Sequence, residues 1–139
     1  MTRGGSSEQA RQSALGHKPE PVGAVRRLIR ALGFSVDGLK AAWHSEWAFR
    51  VDVAMFVVLA PLSLWLGRSG VERALLVGSL FLVLIAELVN SGIEAVVDRI
   101  GPDRHELSKK AKDVGSAVVL VALANAGVVW GLILAARFF

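Results

Sequence analysis

The sequence predicts an all-α integral membrane protein, with three transmembrane helices preceded by an N-terminal amphipathic surface helix. Three observations predict it. Of the 139 residues, 53% are hydrophobic and 20% charged, and the mean hydropathy is +0.50, more apolar than an average soluble domain. Most of that apolar content is confined to residues 51–66, 74–97 and 114–136, and nearly all the charge lies outside them. The basic residues then alternate between the ends of these stretches. Eight of the sixteen Lys and Arg lie in residues 1–50 and five in 98–113, against two in 67–73 and Arg137 near the C-terminus. Lys and Arg accumulate on the cytoplasmic side of a membrane. The pattern therefore predicts a cytoplasmic N-terminus and 98–113 segment, with the 67–73 turn and the C-terminus outside.

Residues 1–20, rich in Gly, Ser, Gln and charge, read as a disordered tail. They hold no apolar core, so a cleaved signal peptide is not expected. Residues 21–139 read as one membrane domain. From 22 to 33, Val22, Val25, Leu28, Ile29 and Leu32 share one helical face and Arg26, Arg27 and Arg30 the other, the pattern of a helix lying on a membrane surface. Gly33 is a candidate C-cap. A second short helix is expected after Ser35, on the four-residue recurrence of Leu39, Trp43 and Trp47, so that surface helices occupy 22–49. The first span, about 50–66, is short for a ~30 Å hydrocarbon core and draws on Ala48 and Phe49 at its start. Pro61 within it is tolerable in a membrane helix. Spans at 74–97 and 114–136 follow, joined by a charged connection over 98–113. Trp43 and Trp47 fit an inner aromatic belt, and Trp65 and Trp130 an outer one.

Cysteine is absent, which excludes disulfides, thiolate metal sites and a cysteine nucleophile. The net charge of +4 does not point to nucleic acid, because the basic residues are juxtamembrane.

The chemistry is concentrated in the second span. Glu87, Asn90, Ser91, Glu94 and Asp98 follow spacings that place all five on one helical stripe. Glu87 and Glu94 are two turns apart, roughly 10 Å along the axis. Asn90 and Ser91 are accounted for as interhelical hydrogen-bonding residues. The two glutamates are not, because an ionisable group at membrane depth costs several kcal/mol unless paired or hydrated. Two carboxylates at the inner membrane edge can hold Mg²⁺, act as a general base on a hydroxyl, or relay protons. Lysines follow in the next segment at 109, 110 and 112, suited to polyphosphate or to topology alone. A pore would require polar residues along the whole span, yet 74–86 offers only Gly78 and Ser79 as small or polar breaks. A one-sided interfacial reaction therefore fits better than a channel; a purely structural membrane subunit is a third reading, which predicts no turnover.

The run Glu87-Leu-Val-Asn90-Ser-Gly-Ile-Glu94-Ala-Val-Val-Asp98-Arg99-Ile100 closely resembles the signature of the prokaryotic diacylglycerol kinases. His105-Glu106-Leu107-Ser108 and Ala111-Lys112-Asp113 resemble a second motif of that family. Ala41-Ala42-Trp43 through Glu46, then Ala48-Phe49-Arg50, resembles its N-terminal motif, and the likeness runs over roughly residues 24–138. It implies a homotrimer with composite sites shared between neighbouring subunits at the cytoplasmic membrane interface. It also implies ATP-dependent phosphorylation of diacylglycerol to phosphatidic acid in the bacterial inner membrane.

Carried residue by residue, the resemblance makes Glu87 the general base and Glu46 and Glu94 the carboxylates that hold Mg²⁺ with the phosphates. Arg27, Asp98, His105, Lys112 and Asp113 join Glu46 and Glu94 around the nucleotide. Asn90, Ser91, Ala48 and Arg50 line the site. Glu46 meets Glu94 only if Trp43 and Trp47 seat its helix at the inner interface. Phe34, Gly92, Trp47 and Pro102-Asp103-Arg104 depart from the family's usual residues. A related branch phosphorylates undecaprenol, and the HELS and EAVVDRI wording is nearer the diacylglycerol branch.

Overall fold

A computed structural model describes residues 21–101 and 105–138. The expected tail, Pro102-Asp103-Arg104 and Phe139 lie outside the described residues. Four helices follow in order: α1 Pro21–Ser45, α2 Trp47–Leu66, α3 Gly70–Ile100 and α4 Glu106–Phe138. The last three are long and apolar enough to cross a membrane, as expected. Among the described residues there is no strand.

The chain divides into a unit up to Gly38 and a unit from Leu39 onward. In the first, Val25, Leu28, Ile29 and Leu32 are exposed, as are Arg26, Arg27 and Arg30. An uncovered apolar stripe opposite three arginines suits a helix lying in a membrane surface.

The expected break at Gly33 and a separate helix after Ser35 do not occur, because α1 is continuous. A glycine inside a helix costs only about 1 kcal/mol, too little to end one. Ser35, rather than capping a new helix, donates its Oγ to Ala31 O at 3.0 Å, the back-bond of a residue within a helix. The break comes instead at Glu46, whose φ of −106° and ψ of 114° make it the N-cap of α2. Ala48 and Phe49 therefore belong to the first span and not to a surface helix.

In the second unit α3 is central, packing against α4 on one side and α2 on the other. Val83, Ala86 and Ala122 form the α3–α4 core, with Val119 and Ala126 packed against it. Small residues of this kind let membrane helices approach closely. Phe56 of α2 meets Phe81 of α3 edge-on, with ring centroids 4.6 Å apart. The buried hydroxyls of Ser63 and Ser79 are satisfied within their own helices, by Ala60 O and Leu76 O.

At one end of the bundle Arg137 of α4 lies over Trp65 and donates to Leu66 O. Arg68 donates to Arg137 O at 3.3 Å. Trp65 is exposed beside this cluster, as an interfacial tryptophan would be. Trp130 instead lines the groove between α2, α3 and α4, with a buried, unpaired Nε1.

At ~1.5 Å per residue, α3 is about 46 Å long and α4 about 50 Å, well beyond a ~30 Å core. The charged connection read over 98–113 is thus mostly helix: α3 runs on to Ile100 and α4 starts at Glu106. This extension carries the charged side chains of two adjacent helices past the apolar region. Gly101 ends α3 with φ 145° and ψ 169°, a conformation open essentially to glycine alone. Gly101→Ala is expected to destabilise the fold by ~1–3 kcal/mol, read as an earlier thermal unfolding transition in detergent.

Candidate active site

The stripe on α3 is built as its spacing requires. Glu87 and Asn90 are buried, and Glu94 is half-buried two turns from Glu87. Asn90 Nδ2 donates to Glu94 Oε1 at 3.1 Å. Ser91 donates its Oγ to Glu87 O at 2.8 Å, so its hydroxyl is satisfied along its own helix. The interhelical role expected of Ser91 is not the one it plays. No hydrogen bond reaches the Glu87 carboxylate among the described residues, which leaves it free to accept a proton.

The α1–α2 junction falls at Glu46. Its N–H still bonds Ala42 O at 2.9 Å, and its carbonyl accepts from Arg50 N at 3.4 Å. Helical hydrogen bonding therefore continues on both sides of the bend. Buried Ala42 and Phe49 anchor the junction. Arg50 closes it by donating Nη1 to Trp43 O at 3.2 Å and His44 O at 3.5 Å, carbonyls that the end of α1 would otherwise leave unsatisfied. Arg50 thus holds Glu46 in place, with Ala48 exposed on the first turn of α2.

Three carboxylates bear on Glu87 electrostatically: Asp52, Glu94 and Glu46. Asp98, Glu94 and Glu46 bear on Lys112. Glu46 lies at the α1–α2 junction and Glu94 on α3, and both act on Glu87 and Lys112. Trp47, expected to help seat this helix, is largely exposed.

Asp52 is the residue that sequence reasoning passed over. It lines the groove between α2, α3 and α4. The available signal was an acid within a membrane helix.

At the charged end, Lys112 pairs with Asp98 across the α3–α4 interface at 2.5 Å. Asp113 pairs instead with Lys109 on its own helix, also at 2.5 Å, and both are exposed. His105 caps α4: its Nδ1 accepts from Leu107 N at 3.2 Å. Arg27 is exposed on the other unit. A largely apolar groove of about 800 Å³ runs beside the end of α3 and the start of α4, lined in part by Gly92, Ile93, Val96, His105 and Ser108.

Among the described residues no three His, Cys, Asp or Glu side chains converge to form a complete metal cage. Glu46 and Glu94 supply the donor type of an ion that takes one or two protein carboxylates and completes its shell with phosphates and water.

A family model described as "Prokaryotic diacylglycerol kinase" matches residues 33–134. The chain belongs to this family. It is 46% identical to the diacylglycerol kinase of Escherichia coli (strain K12) over 112 residues, 81% of this chain and 92% of the relative. It is 49% identical to that of Haemophilus influenzae over 110 residues, 79% of this chain and 93% of the relative. With the diacylglycerol kinase of Pseudomonas aeruginosa it shares 48% over 110 residues, 79% and 89% of the two chains. As a member of the prokaryotic diacylglycerol kinase family it is a kinase with three membrane helices. The family match spans Glu46, Asp52, Glu87, Glu94, Asp98 and Lys112; Arg27 lies outside it.

Proposed function

We propose that this kinase transfers the γ-phosphoryl group of ATP, with Mg²⁺, to the free hydroxyl of diacylglycerol, giving phosphatidic acid at the cytoplasmic face of the bacterial inner membrane. The observation that carries this reading is the buried Glu87 carboxylate, set on one helical stripe with a hydrogen-bonded Asn90–Glu94 pair.

Glu87 is the general base. A primary alcohol is a poor nucleophile at neutral pH and must lose its proton as it attacks. As the lipid oxygen bonds to the γ-phosphorus in line, the bond from that phosphorus to the bridging oxygen breaks. ADP leaves with the bonding pair, and the hydroxyl proton passes to Glu87. Glu94 and Glu46 would hold Mg²⁺, which would offset the negative charge of the phosphates. Lys112 contacts the phosphates, with Asp98 steering its ammonium; His105 and Asp113 flank the nucleotide, and the family resemblance adds Arg27 to the nucleotide-binding residues. Asn90, Ser91, Ala48 and Arg50 line the site. The groove beside Asp52, lined otherwise by Phe56, Leu80, Val83 and other apolar residues, suits a lipid chain. The active assembly is a homotrimer in which neighbours complete each site, and shielding a polar stripe in a bilayer favours such a partner surface.

The test is phosphorylation by the purified protein in lipid vesicles, with diacylglycerol and undecaprenol assayed side by side. Preferential phosphatidic acid formation is expected; preferential undecaprenyl phosphate would move the protein to the other branch, and no turnover with either lipid would refute the reading. Lys112 provides a narrower check. Its pair with Asp98 is solvent-exposed, and such pairs contribute little to stability. Lys112→Met is therefore expected to unfold close to wild type while raising KM for ATP roughly tenfold, the equivalent of one charge-assisted contact. An unchanged KM would remove Lys112 from the phosphate site.

A further inference from the structure

Asn90 is more than nine-tenths buried, and its two amide atoms fare differently. Nδ2 donates to Glu94 Oε1. Oδ1 is buried with no hydrogen-bond partner, an arrangement that native structures rarely keep without a reason. What faces that oxygen is Gly115, itself buried on α4. A Cβ at position 115 would stand well inside contact distance of Oδ1, yet at 3.4 Å from Asn90 Cγ and 3.5 Å from Ile93 Cδ1. The amide oxygen thus occupies the space that any other residue would fill with its side chain, and the conflict is confined to that atom. Close approach to a glycine Cα also permits a weak C–H···O contact, of a kind recurrent at helix–helix interfaces. Because the amide is planar, turning Oδ1 away from α4 carries Nδ2 off the Glu94 carboxylate.

We propose that Gly115 is a positioning residue for phosphoryl transfer: its bare Cα seats the Asn90 amide, and the amide orients Glu94 for the metal–phosphate group. Gly115 touches neither substrate nor metal and acts through Asn90. The inference rests on the role given above to Glu94. Outer contacts that orient a metal-binding carboxylate are worth roughly 10–100-fold in affinity.

The experiment compares wild type, Gly115→Ala, Asn90→Ala and the double variant in lipid vesicles. Mn²⁺ binding is followed by electron paramagnetic resonance with a non-hydrolysable ATP analogue, beside Mg²⁺ activation of turnover. Gly115→Ala is expected to weaken Mn²⁺ binding about tenfold and to raise the Mg²⁺ requirement more than it lowers kcat. In the Asn90→Ala background the same substitution adds no further loss, because the displaced oxygen is gone. Wild-type Mn²⁺ affinity in Gly115→Ala, or an equal further loss in the Asn90→Ala background, would overturn the proposal. Should Gly115→Ala fail to fold, a double variant that folds and binds Mn²⁺ like Asn90→Ala supports it, and one that does not fold overturns it. If wild type itself binds no Mn²⁺ with the nucleotide analogue, the metal role of Glu94 falls, and this inference with it.

Discussion

Glu87→Gln is expected to lower kcat by ~10²–10⁴-fold, the range that a positioned general base contributes, while leaving membrane insertion and assembly intact. Glutamine matches glutamate in size and shape but cannot take the hydroxyl proton. The stability of the variant supplies a second, opposite readout. Glu87 is buried, and no hydrogen bond reaches its carboxylate among the described residues. Replacing a buried, unpaired carboxylate by a neutral amide relieves desolvation. The variant should therefore unfold no earlier than wild type on heating. Loss of turnover together with undiminished stability identifies a group retained for chemistry. Near-normal turnover would remove Glu87 as the base, and a large loss of stability would mark it as a structural residue.

Glu94→Gln should act on the metal more than on the fold. The amide oxygen of glutamine can still accept from Asn90 Nδ2, so the contact now made at 3.1 Å survives while the negative charge is lost. Mg²⁺ favours carboxylate oxygens. The Mg²⁺ concentration for half-maximal activity is expected to rise at least tenfold, about 1.4 kcal/mol of lost binding, with kcat also reduced. A Mg²⁺ titration that superimposes on that of wild type would exclude Glu94 as a ligand. Glu46→Gln is the control on the other helix. If Glu46 and Glu94 hold one ion, each substitution shifts the titration, and the double variant shifts it by less than the product of the two.

The three spans and the α3 stripe were legible in the sequence because both follow from local rules. A run of apolar residues declares its own burial in lipid, and helical periodicity alone brings Glu87, Asn90, Ser91 and Glu94 to one face. Helix ends were less legible. Gly33 resembled a terminus, yet the helix runs through it, and the bend falls at Glu46, where no glycine or proline marks it. The charged 98–113 segment resembled a loop because charge is rare within membrane helices. Charge does not stop a helix that has already left the bilayer.

The sequence by itself determined the membrane class, the number of spans and the one-sided placement of the acids. Only the tertiary structure decided which of those groups meet. Asp98 and Asp113 were equivalent as sequence, but Lys112 pairs with Asp98 across the interface and leaves Asp113 to Lys109. Arg50 turned out to close the α1–α2 junction, Asp52 to line the groove between α2, α3 and α4, and Gly115 to face the amide of Asn90. The physical reason is the same in each case. Periodicity determines which face of a helix a residue occupies. Its partner on the next helix depends on the register and depth at which the two pack, and that is set by side-chain volumes summed along the whole interface.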